Sequence, residues 1–247
     1  ISNYAPFNIL HELDNNYIEI NMVDVKFQGE MKWKVIQGLE LSALGAVRYQ
    51  TSSQGHNVLD DANQAIAYRT GMDDATIREQ NKLLYTDPDN PYALPITLLP
   101  EGGIYQRQDR RMLGLDFRGT LSWNHLFAEK HITNFFAGME VNSLQKTYSS
   151  FQGWGMQYSM GEIPSYIYQF FKNGIESGSR YYSLGHSETR SIASFFNATY
   201  SYDGRYTLNG TFRYEGTNRM GRSRSSRWLP TWNLSGAWNV HEESFFK

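Results

Sequence analysis

The sequence has no cysteine among its 247 residues, so it can form no disulfide and carry out no thiolate chemistry, and this absence leaves the compartment open. It also lacks any run of about 18 apolar residues, which excludes a transmembrane helix but not a barrel, whose strands never produce such a run. No charge of one sign predominates. With 23 basic and 25 acidic residues the formal net charge is -2, which excludes the overall basic field of a nucleic-acid binder and gives no acidic tail. The opening residues ISNYAPFNIL lack the basic-then-apolar order of a secretory signal, so the chain is expected to be mature or internal. His11, His56, His125, His131, His186 and His241 have no metal-ligand spacing. No paired nucleophile and base stands out either, so no catalysis, metal or cofactor is expected. Asp60-Asp61, Asp73-Asp74 and Asp87 with Asp89 fall short of a calcium-loop pattern and read as helix caps and turn formers.

What the chain does have is aromatic residues in alternation. Aromatics make up 15% of the sequence, with 17 Tyr and 6 Trp, beside a mean hydropathy of -0.56. That combination arises when apolar residues on one face of a strand alternate with polar residues on the other. In the closing stretch, Ile192, Ser194, Phe196, Ala198, Tyr200 and Tyr202 alternate with Ser191, Ala193, Asn197, Thr199 and Ser201. Asp203-Gly204 then supplies a tight hairpin turn. Tyr206, Leu208, Gly210, Phe212 and Tyr214 follow on one face, and Thr207, Asn209, Thr211, Arg213 and Glu215 on the other. After an arginine-rich turn, Trp228, Pro230, Trp232, Leu234, Gly236, Trp238 and Val240 repeat the pattern. The result is a β-meander with one apolar, aromatic face. A protein core or lipid could cover that face, and alternation alone does not choose.

Strand length favours lipid. From Val23 to Val35 the apolar face carries no charge and the opposite face carries Asp24, Lys26, Glu30, Lys32 and Lys34. About 13 residues at about 3.4 Å each span about 44 Å, whereas strands of soluble proteins usually have about 5 to 6 residues. Leu39 to Tyr49, Leu113 to Trp123 and Thr133 to Val141 continue the pattern. Between the strands, short turns alternate with long insertions at 51–108 and 144–186. The first insertion is expected to hold helices over 59–68 and 74–84, the second of these marked by Thr76 and Glu79 at capping-box spacing. The second insertion is expected to hold a helix over 164–172. About seven strands are expected, and because so few cannot close in lipid without open edges, residues 1–247 are expected to be one sector of a larger antiparallel, up-and-down transmembrane β-barrel.

Several residues are candidates for binding. Trp154, Tyr158, Tyr166 and Tyr168 lie in the second insertion and offer rings for stacking on a substrate, or a small core for the insertion itself. Trp154, between Gly153 and Gly155, is the preferred ligand contact, because glycine permits close backbone approach. Arg48, Asp116, Arg118, Glu140, Arg213 and Glu215 share the polar strand face, hence the lumen, where they line a path or pair with one another. Arg219, Arg222, Arg224 and Arg227 lie in a stretch free of acids and suit an anionic ligand or lipopolysaccharide phosphates, or simply a solvated loop. Trp33, Trp123, Trp228 and Trp238 fit an interfacial girdle or lipid-facing packing.

FFNATYSYDGRYTLNGTFRYEGTNRMG, followed by RWLPTWNLSGAWNV and HEESFFK, resembles the SusC/RagA family of TonB-dependent outer-membrane transporters of Bacteroidetes. YRTGMDDATIREQNKLLYTDPDNPYALP and LPEGGIYQRQDRR resemble it too. The resemblance implies a barrel of about 22 strands with long extracellular loops, an N-terminal plug and a SusD-like surface lipoprotein as partner. It further implies import of oligosaccharides or peptides, powered by the TonB system, across the outer membrane of a Gram-negative bacterium. Plug, TonB-contacting segment and barrel closure are not visible in these residues and are expected to lie elsewhere in such a protein. A self-standing β-domain that binds glycans at the cell surface without transport is the alternative.

Overall fold

The computed structural model describes residues 7–221 and 227–246. Among them, seven long strands and one very short one form a single antiparallel sheet. They are β1 (Asn16–Ile36), β2 (Leu39–Val58), β3 (Gly103–Phe127), β4 (His131–Gln157), β5 (Ile163–Pro164), β6 (Tyr182–Tyr202), β7 (Tyr206–Thr217) and β8 (Trp228–Trp238). The spatial order is β1-β2-β3-β4-β6-β7-β8, with β5 attached to the end of β4. The fold is therefore the all-β, up-and-down arrangement of a barrel sector.

The strands are longer than the alternation in the sequence implied. β1 has 21 residues, β3 has 25 and β4 has 27. Residues 51–58 and 144–157, read from sequence as parts of insertions, continue β2 and β4, and residues 103–112 begin β3. Backbone pairing persists there although neither face is consistently apolar, so the periodic signal fades before the strand does. Of the tight turns, that between β6 and β7 puts Asp203 (φ 50°) and Gly204 (φ 67°) in the left-handed region, as the type I′ hairpin requires. The β3–β4 turn achieves the same with Ala128 (φ 47°) and Glu129 (φ 57°), without the usual turn residues.

The chain forms two compact units. The loop unit gathers residues up to Val23 with 51–111 and 147–185. It contains α1 (Ile9–Asn15), α2 (Asn63–Arg69), α3 (Ala75–Gln80) and α4 (Tyr168–Ser177). Its core is Val58, Ala62, Ala65, Tyr85, Leu98, Leu99, Ile104 and Trp154, with Tyr68, Tyr166 and Phe170 packed against them. α2 starts four residues later than the expected 59–68 and α3 ends at Gln80 rather than at 84, and two further details differ from the sequence expectation. α3 is capped by Asp74, whose carboxylate accepts from the Thr76 and Ile77 amides, so Thr76 lies inside the helix and the Thr76–Glu79 capping box does not form. The third helix begins at Tyr168 rather than Pro164, because Pro164 is taken up in β5.

The strand unit comprises 24–50, 112–146 and the residues from His186 onward. None of its described large hydrophobic side chains is buried. Register sorts its side chains cleanly. Phe196, Phe212 and Trp232 stand opposite one another, as do Ala198, Gly210 and Leu234. The opposite face pairs Asn197, Thr211 and Asn233, and Phe195, Arg213 and Thr231. The sheet is one layer with an apolar face and a polar face.

Candidate functional site

The polar face of the strand unit carries a compact charged cluster. Glu140 of β4 receives Arg118 from β3 at 2.6 Å on one carboxylate oxygen and Arg213 from β7 at 3.3 Å on the other. Arg213 also pairs with Glu215 at 3.0 Å. The carboxylate is mostly covered, with 18% of its side chain exposed against 53% for Arg118. Both guanidinium groups lie within cation–π range of the Phe195 ring, at 5.6 and 5.9 Å from its centre. Phe136 flanks that ring at 5.7 Å. Gly138 makes room, since a Cβ there would meet Phe195 Cζ at 2.5 Å and the Gly119 carbonyl oxygen at 2.9 Å.

Four of the six charged residues expected on this face thus form one network. Arg48 pairs separately with Asp24, its Nε donating at 3.0 Å and an Nη at 2.5 Å. Asp116 joins no ion pair among the described residues. Phe195 and Phe136 are what the charge pattern missed. Each belongs to a Phe-Phe doublet, and a doublet in a strand must place one ring on each face. Phe135 and Phe196 stack at 6.4 Å as the other pair. Converting Glu140 to glutamine is expected to cost only about 1 kcal/mol, because Arg213 keeps Glu215 and the arginines remain partly solvated. Denaturant unfolding of the variant in detergent, compared with Arg118→Gln and the double change, checks this. Strictly additive losses would mean the pair is not coupled.

The insertion aromatics divide differently from their sequence order. Trp154 lies in β4, only 5% exposed, and its indole N–H donates to the Leu98 carbonyl at 2.5 Å. The preference for it as a ligand contact is corrected on this point. The adjacent Gly155 serves a close approach within the protein, where Ser165 N–H donates to the Gly155 carbonyl at 3.0 Å and a Cβ would collide with the Ser165 carbonyl. The Tyr158 hydroxyl donates to Ile104 O at 3.0 Å, and burial pushes its pKa up. The Tyr166 hydroxyl donates to Gln152 O at 2.6 Å, with its ring packed against both Phe170 and Phe171. Tyr168, by contrast, is 74% exposed. Of the arginine-rich stretch, Arg222 and Arg224 lie outside the described residues. Arg219 reaches Ser187 Oγ at 3.5 Å, and Arg227 Nε donates to Gly221 O at 3.3 Å.

A charged latch not legible in the sequence fixes α4. Lys172 Nζ sits 2.5 Å from Asp87 and 2.6 Å from Asp89, with Glu176 at 3.7 Å. The Tyr85 hydroxyl donates to Glu176 at 2.8 Å. The hydrogen bond from Lys172, then that from the Asp89 amide, holds the Asp87 carboxyl below the usual carboxylate range. Asp87 and Asp89 raise the Lys172 ammonium above the usual amine range. Burial, then Glu176, pushes the Tyr85 phenol up to about 12. A lowered acid stabilises above its unfolded pKa and loses that contribution as pH falls through the folded value. The raised Lys172 and Tyr85 stabilise below their unfolded values and lose this as pH rises. The latch is therefore expected to hold from about pH 4 to about pH 10 and to weaken outside that window. Limited proteolysis around residues 87–89 across this range tests it, and Lys172→Gln should make the cut rapid at neutral pH.

The aromatic ends of the strands complete the geometry. Trp228 stacks on Tyr214 at 5.0 Å and Trp238 on Tyr206 at 6.3 Å, at opposite ends of β8. Trp123 stacks with His125 at 6.0 Å, and Trp33 is 62% exposed.

No protein-family model and no curated protein matches the sequence. Solved structures share its fold, two of them of one transporter system. One is of the RagAB peptide transporter, with a TM-score of 0.64, and the other is of the RagAB peptide importer in a "closed-closed" state, with a TM-score of 0.63. Both matches are 14% identical and cover 95% of this chain but only 21% of theirs. The likeness is one of fold, and it is to about a fifth of a transporter chain.

Proposed function

We propose that this chain is a sector of a TonB-dependent outer-membrane importer of the SusC/RagA type, which takes up oligosaccharides or peptides with a SusD-like surface lipoprotein and catalyses no reaction. The observation that carries this reading is the exposed apolar face of the strand unit. Phe27 (73%), Met31 (69%), Trp232 (76%) and Leu234 (66%) lie bare on a single-layer sheet. Water disfavours so continuous an apolar surface, and lipid does not. The dimensions agree. Ten residue steps from Trp228 to Trp238 run about 34 Å along the strand and, tilted by about 40°, cross about 26 Å, close to the apolar band of about 25 Å in outer-membrane barrels. On this reading the polar face, with its Arg118–Glu140–Arg213 cluster, lines the lumen, and the loop unit is the part that meets a lipoprotein and substrate. Energy coupling belongs to a plug and a TonB-contacting segment in other parts of such a transporter.

Extraction of the protein from its source membrane, with intact-mass measurement of it and any co-purifying chain, tests the proposal. A detergent-dependent species several times 28.5 kDa, carrying a lipoprotein partner, is the expected result. A lone soluble chain near 28.5 kDa would overturn it and leave a glycan-binding β-domain.

A further inference from the structure

We infer that the loop unit carries a recognition cleft for a peptide, specific for an apolar side chain next to a free carboxylate. This rests on the importer reading and narrows its substrate class.

The cleft lies between the C-terminal half of α4 and the returning chain, with a volume of about 490 Å³, within the range of about 300 to 1,000 Å³ found for small-ligand sites. Its wall is aromatic: Phe171 and Tyr181 meet edge to face at 5.4 Å, and Phe170 adjoins Phe171 at 5.5 Å. Gly174 and Gly178 also line it and add no side chains, and at Gly178 a Cβ would meet nothing within 4 Å. The helix is held from two other sides. Phe170 stacks on Trp154 at 5.2 Å, and Lys172 and Glu176 engage the latch with Asp87, Asp89 and Tyr85. Tyr181 is fixed as well, its carbonyl accepting from Gln152 N–H at 2.7 Å. The cleft is therefore formed before any ligand arrives, which lowers the entropy lost on binding.

What remains outward is an apolar stripe at helical spacing, Tyr168, Phe171 and Ile175, with Ile175 84% exposed. Arg180 is the only charged residue lining the cleft, and it joins no ion pair among the described residues. Lys172, the basic residue of α4, is spent on three carboxylates, while Arg180, just past the helix, lines the cleft together with Phe171 and Tyr181. A guanidinium beside aromatic rings binds a carboxylate bidentately while the rings bury the adjoining side chain. A neutral oligosaccharide can stack on the rings but offers no carboxylate. A peptide ending in an apolar residue offers both the side chain and the carboxylate.

The test uses the full-length transporter purified in detergent with its partner, and a fluorescein-labelled tetrapeptide ending in phenylalanine, as free acid and as C-terminal amide. Fluorescence anisotropy is expected to show the acid bound about tenfold more tightly than the amide. Arg180→Gln should bring the two to equal affinity, Arg180→Lys should keep part of the preference, and Phe171→Ala should weaken both peptides alike. Equal binding of acid and amide by the unaltered protein, or an acid preference that survives Arg180→Gln, overturns the inference. So does loss of the lipoprotein in Arg180→Gln and Phe171→Ala with peptide affinity unchanged, which would make the cleft a protein contact. A membrane-embedded importer that takes up oligosaccharide and binds neither peptide overturns this inference and leaves the importer reading standing; a soluble chain overturns both.

Discussion

Replacing Trp154 by alanine is expected to destabilise the loop unit by about 3 to 5 kcal/mol, the range for removing a large buried aromatic. The size follows from what the indole does. It is 5% exposed, meets Tyr68 edge to face at 5.1 Å and stacks on Phe170 at 5.2 Å. Its N–H also satisfies the Leu98 carbonyl, so truncation leaves a cavity and an orphaned acceptor together. Trp154→Phe keeps much of the ring packing and loses mainly the donor, and about 1 to 3 kcal/mol is expected for that. Hydrogen exchange over residues 51–111 and 147–185 is the measurement. A ligand platform would behave differently: the alanine variant would keep native protection and lose only affinity, and that outcome would remove Trp154 from the core as described.

The strand unit was legible in the sequence because one physical rule governs it. Wherever the apolar face must be continuous, alternation is strict, and 23–35, 39–49, 192–202 and 206–214 could be read directly as strands. Beyond the apolar band the rule lapses while hydrogen bonding continues. The residues Thr51-Ser-Ser-Gln-Gly-His-Asn-Val58 look like a loop yet belong to β2. Trp154 was misread for a related reason. Glycines on both sides suggest close approach by a ligand, but here Gly155 lets β4 approach the chain at Ser165. Contacts between distant residues left no local mark at all. Asp87 and Lys172 are 85 positions apart, and nothing in either neighbourhood announces the latch. The polar cluster was half legible: charges on alternate positions placed Arg118, Glu140 and Arg213 on one face, but only register puts Phe195 beneath two of them.

Leu234→Arg is expected to impair insertion and folding by about 2 to 4 kcal/mol, whereas Asn233→Arg, one residue away, is expected to cost less than about 1 kcal/mol. The two positions share a strand, a backbone conformation and an exposed setting in β8. They differ in face: Leu234 stands across from Gly210 in the apolar row, and Asn233 across from Thr211 in the polar one. Leu234 lies near the middle of the span between Trp228 and Trp238, where a guanidinium reaches neither interface easily. At Asn233 the same group enters a polar surface that already holds Arg213. The measurement is the heat-dependent gel shift of the full-length protein in detergent, together with its yield in outer-membrane fractions. In water the two faces of a single-layer sheet would tolerate arginine about equally, and gaining a charge at Leu234 would improve solubility. Equal behaviour of the two variants would therefore mean that the apolar face is covered by something other than lipid. A large asymmetry would tie the stability of the sheet to the solvent on one side of it.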